Sequence, residues 1–330
     1  MRARRQERQR GWQSWQGWQA YLGSFLALLI TCTPIQARPL TPEGISPAEE
    51  RTITLWYRNY DSPAIRALVV LALSKTPEYG RFRLTRSIEM VQGRALLELT
   101  RERSRVLDLA AVATSMEREK DLLAIPVPID GGLLGFRVCV VMKDALGRFE
   151  GVTSIDDLRD RELRIGQGLH WPDATILQVN DVQVVTHSRY ETLFKMLRND
   201  RFDCFARGVS EVLFDLELEQ DPELVIEPSL LIAYPMLSYF FVGPEDHALA
   251  QRLQLGMDRA IQDGSFSRYL NQFYGEALEV LALDRRQVLV LNNPYLGRES
   301  SEIGRRALET LRVRMGQQRS SESTVRDTKL

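Results

Sequence analysis

The sequence predicts an α/β protein of two lobes, one inserted into the other, on three observations. First, β-branched runs alternate with helical stretches of roughly ten to fifteen residues, which argues for parallel α/β units. Second, two long β runs, "GLLGFRVCVVM" near residues 132–142 and "MLSYFFVG" near 234–242, bracket a restart of that alternation, so the chain enters a second unit and then returns. Third, 330 residues with 44% hydrophobic and 26% charged side chains suffice for two cores at roughly 150 residues each.

Residues 1–37 stand apart. "MRARRQERQR" carries five arginines against Glu7 and precedes the apolar run "YLGSFLALLITCT". With the small-residue exit "IQA" ending at Ala37, this predicts a cleavable signal peptide. The rival is an uncleaved membrane anchor, because "WQSWQGWQ" repeats tryptophan at a spacing suited to a membrane interface. About a dozen apolar residues nevertheless fall short of the roughly 20 needed for a comfortable span. Loss of five arginines and one glutamate would take the formal charge from −1 to −5. A mildly acidic exported chain is not a nucleic-acid binder.

A Pro-rich linker over 38–50 leads to the strand "TITLWY", after which Ser62 and Pro63 supply the N-cap and first position of a helix through "AIRALVVLALSK". "FRLTRS" is the next strand, "MVQGRALLELTRE" a helix and "LDLAAVAT" a third strand. In the second unit Ser154 and Asp157 cap "SIDDLRD", "LRIGQG" is a strand, and Pro172 opens a helix. "VQVVT" is again a strand, and Ser188 with Glu191 forms a capping box for "SRYETLFKMLRND". "FDCFARG" follows and leads through "LVIEP" to the return run. A helix ending at Gly264 and a short helix "FSRYLNQFYG" complete the first unit. The expected boundaries are 51–134 plus 240–284 for the first lobe and 135–239 for the inserted lobe. Residues 285–330 form a C-terminal extension with one β-like run, "RQVLVLNNPYL", and are disordered from about 317.

Cys139 and Cys204 both sit in apolar strand-like runs. Two buried thiols are the expectation, and a disulfide is the alternative in an oxidising compartment. No spacing suits a metal, and no cofactor is expected.

Taken in order, "TSMEREKDLLAIPVPIDGGLLGFRV", "SIDDLRDRELRIGQGLHWPDATIL", "ETLFKMLRNDRFDCFARG" and "MDRAIQDGSFSRYL" resemble the bacterial extracellular family 3 solute-binding proteins. These are the type II periplasmic binders that serve amino-acid ABC transporters, and the resemblance covers roughly residues 50–280. It implies a Venus-flytrap architecture, each lobe a mostly parallel sheet flanked by helices, with two β hinge crossings and a ligand trapped between the lobes. It also implies a monomer in the periplasm whose partner is a membrane permease or a sensor protein.

The resemblance carries site residues with it. In "ATSMER" a helix beginning at Thr114 or Ser115 offers its free N–H groups to an anion. Arg118 stands where the family places the arginine that forks onto a ligand carboxylate, although Ala113 replaces a frequent hydroxyl residue. In "GQGLHWPD" the glycines Gly166 and Gly168 allow a tight turn, and the amides of Leu169 and His170 would meet the same carboxylate. His170 and Trp171 either cover the ligand or pack on a neighbouring loop. In "RFDCFARGVSE" the family's ammonium-gripping aspartate is replaced by Gly208, with Arg207 beside it. If Arg207 faces the cleft unpaired it favours an anion; paired with Asp203 or Glu211 it is structural. Tyr57 and Tyr60 are the replacements for the family's aromatic loop.

These residues predict capture of a small anionic or zwitterionic ligand, an amino acid or organic acid bearing a carboxylate, for uptake or sensing. The alternative is a degenerate binding fold serving as an interaction or sensory module. Dehydratase-like enzymes on the same fold need a cleft carboxylate. Glu211 and Glu117 are the candidates, with Glu117 better explained as the capping partner of Thr114, so no catalytic activity is expected.

Overall fold

A computed structural model describes residues 50–101, 106–310 and 313. The expected signal peptide, the linker before residue 50 and the tail from 317 lie outside the described residues, and no described helix is long and apolar enough to cross a membrane.

The first lobe begins with β1 (Arg51–Leu55), α1 (Tyr57–Asp61) and α2 (Pro63–Ser74). Ser62 caps α2 by accepting from the Ile65 amide, with Pro63 at the first position, where its missing N–H costs nothing. Then follow β2 (Phe82–Arg86), α3 (Gln92–Leu99), β3 (Leu109–Ala113), α4 (Met116–Asp121) and β4 (Leu123–Ile125). The second lobe comprises β5 (Phe136–Met142), α5 (Ile155–Asp160), β6 (Ile165–Gly168), α6 (Pro172–Val179), β7 (Val184–His187) and α7 (Tyr190–Arg198). It continues with β8 (Cys204–Gly208), α8 (Val212–Glu219), β9 (Leu224–Ile226) and β10 (Leu230–Ala233). The chain then returns through β11 (Ser238–Val242), α9 (His247–Gln262) and α10 (Ser265–Val280). Last come β12 (Gln287–Val290) and a helix, α11, over 298–310.

The first sheet has the order β2-β1-β3-β11-β4, and the second β12-β10-β5-β8-β6-β7, with β9 also paired to β5. Both sheets are mostly parallel, with one reversed strand in each, β11 in the first and β5 in the second. Strands β5 and β11 arrive from the opposite lobe and run against their neighbours. The β1-β2-β3 and β6-β7-β8 groups, built from β-α-β units, are parallel.

Several local expectations change. Cys139 and Cys204 are joined in a disulfide. β5 and β8 are antiparallel neighbours with Cys139 opposite Ala206, which puts Cys204, two residues away, on the same face. Closing a loop of 65 residues removes about 4 kcal/mol of unfolded-chain entropy. Gly166 and Gly168 lie inside β6 without a left-handed φ, so they do not make a turn. They make room: a Cβ at Gly166 would meet the Phe202 ring at 2.3 Å, and one at Gly168 the Trp171 ring at 2.5 Å. Ser188 does not cap α7, whose N-cap is Arg189, because the Glu191 carboxylate is turned toward Arg58 of the first lobe. Helix α10 runs on past Gly275, since Tyr269, Tyr274, Ala277 and Leu281 keep a buried stripe going. That burial outweighs the roughly 1 kcal/mol cost of a mid-helix glycine.

The largest departure concerns residues 285–310. They do not stand outside the lobes. β12 pairs in parallel with β10, Leu230 opposite Gln287 through Ala233 opposite Val290, so the chain crosses between the lobes a third time.

Candidate functional site

A cavity of about 340 Å³ lies between the lobes, within the range of small-molecule sites. The carboxyl ends of β3, β6 and β8 converge on it, where open α/β sheets place their ligands. The first lobe contributes Trp56, Tyr57, Asn59, Gln92 and Ala113. Asn59 is fixed by a two-way bond to β3, its amide donating to the Ala111 carbonyl (3.0 Å) and its oxygen accepting from the Ala111 N–H (2.8 Å).

The second lobe contributes a buried ion cluster. Arg137 pairs with Asp173 at 2.7 Å, and the Tyr234 hydroxyl donates to the same carboxylate at 2.6 Å. Arg207 donates from Nε to Asp215 (2.6 Å) and from Nη2 toward Glu211 (3.2 Å). Tyr190 also donates to Asp215. The Arg207 guanidinium lies 4.9 Å from the Trp171 ring centroid and 5.2 Å from those of Tyr190 and Phe205. Burial alone would lower the Arg207 pKa, but Asp215 and Glu211 overcome it and hold the guanidinium more firmly protonated than usual. Sequence reasoning allowed Arg207 two roles, and its charge is committed to the paired one. Asp203 takes no part, being held by Arg148 and the Arg164 amide.

Glu211 differs from its neighbours. Its side chain is 39% exposed where that of Asp215 is 5%, and only Oε2 contacts Arg207 and Arg137. Burial would raise its pKa, yet Arg207, Arg137 and Arg58 bring it below the ordinary glutamate value. A Cβ at Gly208 would fall 2.9 Å from Glu211 Oε2 and 2.9 Å from Arg137 Nη1. The space left by the absent aspartate is therefore filled by a carboxylate three residues further on.

The residues predicted from sequence divide. Tyr57, Gly168, Leu169, His170, Trp171 and Arg207 line the cavity; Tyr60, Thr114, Ser115 and Arg118 do not. Tyr60 instead lies under Arg66, with the guanidinium 5.4 Å from its ring. The anion site expected at the start of α4 is filled from within the protein. The Met116 amide donates to the Tyr295 carbonyl (2.9 Å), Ser115 caps the Arg118 amide, and the Thr114 hydroxyl donates to Glu119. Glu117 is exposed and caps nothing. The Leu169 amide is taken by the His187 carbonyl (2.9 Å). Trp171 stacks on Phe205 with ring centroids 6.1 Å apart, while the His170 ring lies against Gly93 of the first lobe.

Arg118 sits just behind the cavity wall. It donates to Gln92 Oε1 (3.0 Å), to the His170 carbonyl across the lobes (2.6 Å) and to the Ala113 carbonyl. All three acceptors are neutral, and burial pushes its pKa down to about 10. Further contacts bridge the lobes, among them Arg58 to Glu191 at 3.1 Å and the Ser210 hydroxyl to Asp130 at 2.9 Å. Sequence reasoning missed Arg58, Asp130, Arg137, Asp173, Tyr190 and Asp215. Among these, the arginine in the apolar run "GFRVCVVM" was the readable signal, since a cation in a buried strand requires a partner.

A scan against protein-family models and a search of curated proteins gave no match. Solved structures do match. An ancestral arginine-binding protein bound to arginine aligns with a TM-score of 0.50 and 14% identity, over 68% of this chain and 98% of its own. An ancestral arginine-binding protein bound to glutamine gives the same values. An amino acid ABC transporter substrate-binding protein from Streptococcus pneumoniae, bound to L-arginine, aligns with a TM-score of 0.50 and 13% identity over 68% of this chain and 94% of its own. The chain thus has the two-lobed type II periplasmic binding protein fold.

Proposed function

We propose that this chain is an exported solute-binding protein that takes a small zwitterionic ligand of the amino-acid class between its lobes. It would hand that ligand to a membrane permease or report it to a sensor. The observation carrying the reading is Glu211, an ionised and half-exposed carboxylate facing the interlobe cavity beside Gly208. Its free edge suits an ammonium group, which gains a charge-assisted hydrogen bond there. Arg118, with only neutral partners, is the cation left to meet a carboxylate once the His170 carbonyl is exchanged for it.

The charge balance favours a zwitterion or a cation over an organic acid. The lining arginines are Arg58, Arg137 and Arg207. Against them stand Asp130, Asp173, Glu191, Glu211, Asp215 and Glu276, a formal balance of −3 that shrinks to the extent that burial raises the pKa of Asp130 and Asp215. The Streptococcus pneumoniae protein of the same fold holds L-arginine, which fits that sign. Calorimetric titration with L-arginine, L-glutamine and succinate tests the reading. The amino acids are expected to bind at least about tenfold more tightly than succinate, and Glu211→Gln to weaken them by a similar factor through loss of a charged hydrogen bond. Tightest binding by succinate would restore the anion reading, and binding by none would favour an interaction module.

A further inference from the structure

The segment after α10 touches both lobes and two of the crossings between them. Its strand β12 belongs to the second sheet, extended by the Leu291 amide donating to the Ala233 carbonyl (2.8 Å). Asn292 and Asn180, at the end of α6, exchange two hydrogen bonds of 2.8 and 3.0 Å. Asn293 then donates to the carbonyl of Pro235 in the return crossing (2.7 Å). The next contacts are on the first lobe. The Tyr295 carbonyl accepts from the Met116 amide, and the buried Ser300 hydroxyl donates to Glu119 (2.6 Å) and meets the Tyr239 hydroxyl (3.2 Å). Finally α11 packs on both crossings: a Cβ at Gly304 would lie 3.1 Å from the Pro235 side chain, and one at Gly132 2.6 Å from Ala307 Cβ.

Gly131 and Gly132, with φ of 67° and 90°, form the outgoing crossing. Paired glycines in the left-handed region are where a backbone most easily absorbs the dihedral changes of a hinge. α11 covers that point. The two crossings are themselves joined by the Tyr234 amide on the Gly135 carbonyl (3.0 Å) and the Ile129 amide on the Ser238 carbonyl (3.0 Å).

We propose that residues 287–310 are a strap that sets the separation of the lobes. It is anchored by β12 in one lobe and by Met116 and Glu119 in the other, with α11 clamped over Gly132. Opening the cleft then requires release of the Ser300 and Tyr295 contacts and lifting of α11, in addition to breaking the cleft-side contacts Arg58 to Glu191 and Arg118 to His170. The strap restrains both crossings at once, so its loss would free the hinge without touching any residue of the cavity.

The test needs no ligand. Spin labels replacing exposed Leu97 on α3 and Leu218 on α8 report the distance between lobes by pulsed electron spin resonance in the full chain. The parent protein is expected to give one narrow distribution. Ala307→Arg, which forces α11 away from Gly132, and the milder Ser300→Ala are expected to add a longer-distance population. For Ser300→Ala the rise should be about tenfold, matching the loss of one or two buried hydrogen bonds. Ser300→Ala guards against general unfolding, because the lobe cores and the disulfide are untouched. A parent distribution already as broad as the variants', or no change in Ser300→Ala with α11 still folded, would overturn the strap.

Discussion

The two walls of the cleft each hold a buried arginine, and they solve the problem of a buried charge in opposite ways. On the first lobe Arg118 is surrounded by carbonyl and amide oxygens, and burial lowers its pKa to about 10. On the second lobe Arg207 is neutralised by Asp215 and Glu211, which hold its proton more tightly than usual. A cation with neutral partners keeps attraction to spare for an incoming carboxylate. A cation with two carboxylates has none, and serves instead to hold them in place, bringing Glu211 below its ordinary pKa and offsetting part of the rise that burial gives Asp215. Arginine content alone therefore misjudges the site; the partners decide which arginine a ligand can reach.

The comparison breaks most visibly on the second lobe. Arg207→Ala should lower stability by about 3–5 kcal/mol, because Asp215 would be left buried and unpaired. Urea denaturation measures this, and Arg207→Met combined with Asp215→Asn should recover part of the loss. A well-folded Arg207→Ala protein would mean that the ion cluster does not hold the lobe.

On the first lobe, Arg118→Ala should cost less stability, about 1–3 kcal/mol for acceptors left unsatisfied, and show its main effect on ligand. L-Arginine affinity should fall by at least about tenfold. Arg118→Lys should not restore it, since one ammonium cannot replace the planar fork. Equal affinity in Arg118→Ala would confine this residue to bridging the lobes.

The smallest effect is expected at Asp130, between the walls. Burial raises its pKa, only partly offset by the Ser210 and Gly132 donors. A carboxyl whose folded pKa exceeds its unfolded value stabilises the protein below the unfolded value, near 3.8, and that contribution is lost as pH rises through the folded value. Asp130→Asn should therefore flatten this part of the decline in melting temperature as pH rises above 4. An unchanged profile would show that another group causes the decline.

Much of the fold was legible because it rests on local signals. Ser62 with Pro63 and Ser154 with Asp157 cap their helices as spacing alone predicts, the latter as a two-way capping box. The apolar and β-branched runs become β1, β3, β5 and β11, and the interrupted alternation marks the insertion. Legibility failed where a residue's partner lies far along the chain. Ser188 and Glu191 have the spacing of a cap, but Arg58 in the other lobe claims the carboxylate. The start of α4 looked free for a ligand, but its Met116 amide donates to Tyr295 and its Glu119 accepts from Ser300, both in the C-terminal segment.

The sequence by itself determined the two-lobed α/β class and the helix caps at Ser62 and Ser154. Those depend on periodicity and on bonds between residues a few positions apart. Tertiary structure alone decided that Cys139 meets Cys204, that β12 crosses back to the second sheet, and that Glu211 fills the space beside Gly208. Each depends on which strands become neighbours and in which register. A one-residue slip would turn every side chain to the other face, so no property of either segment alone could have settled it.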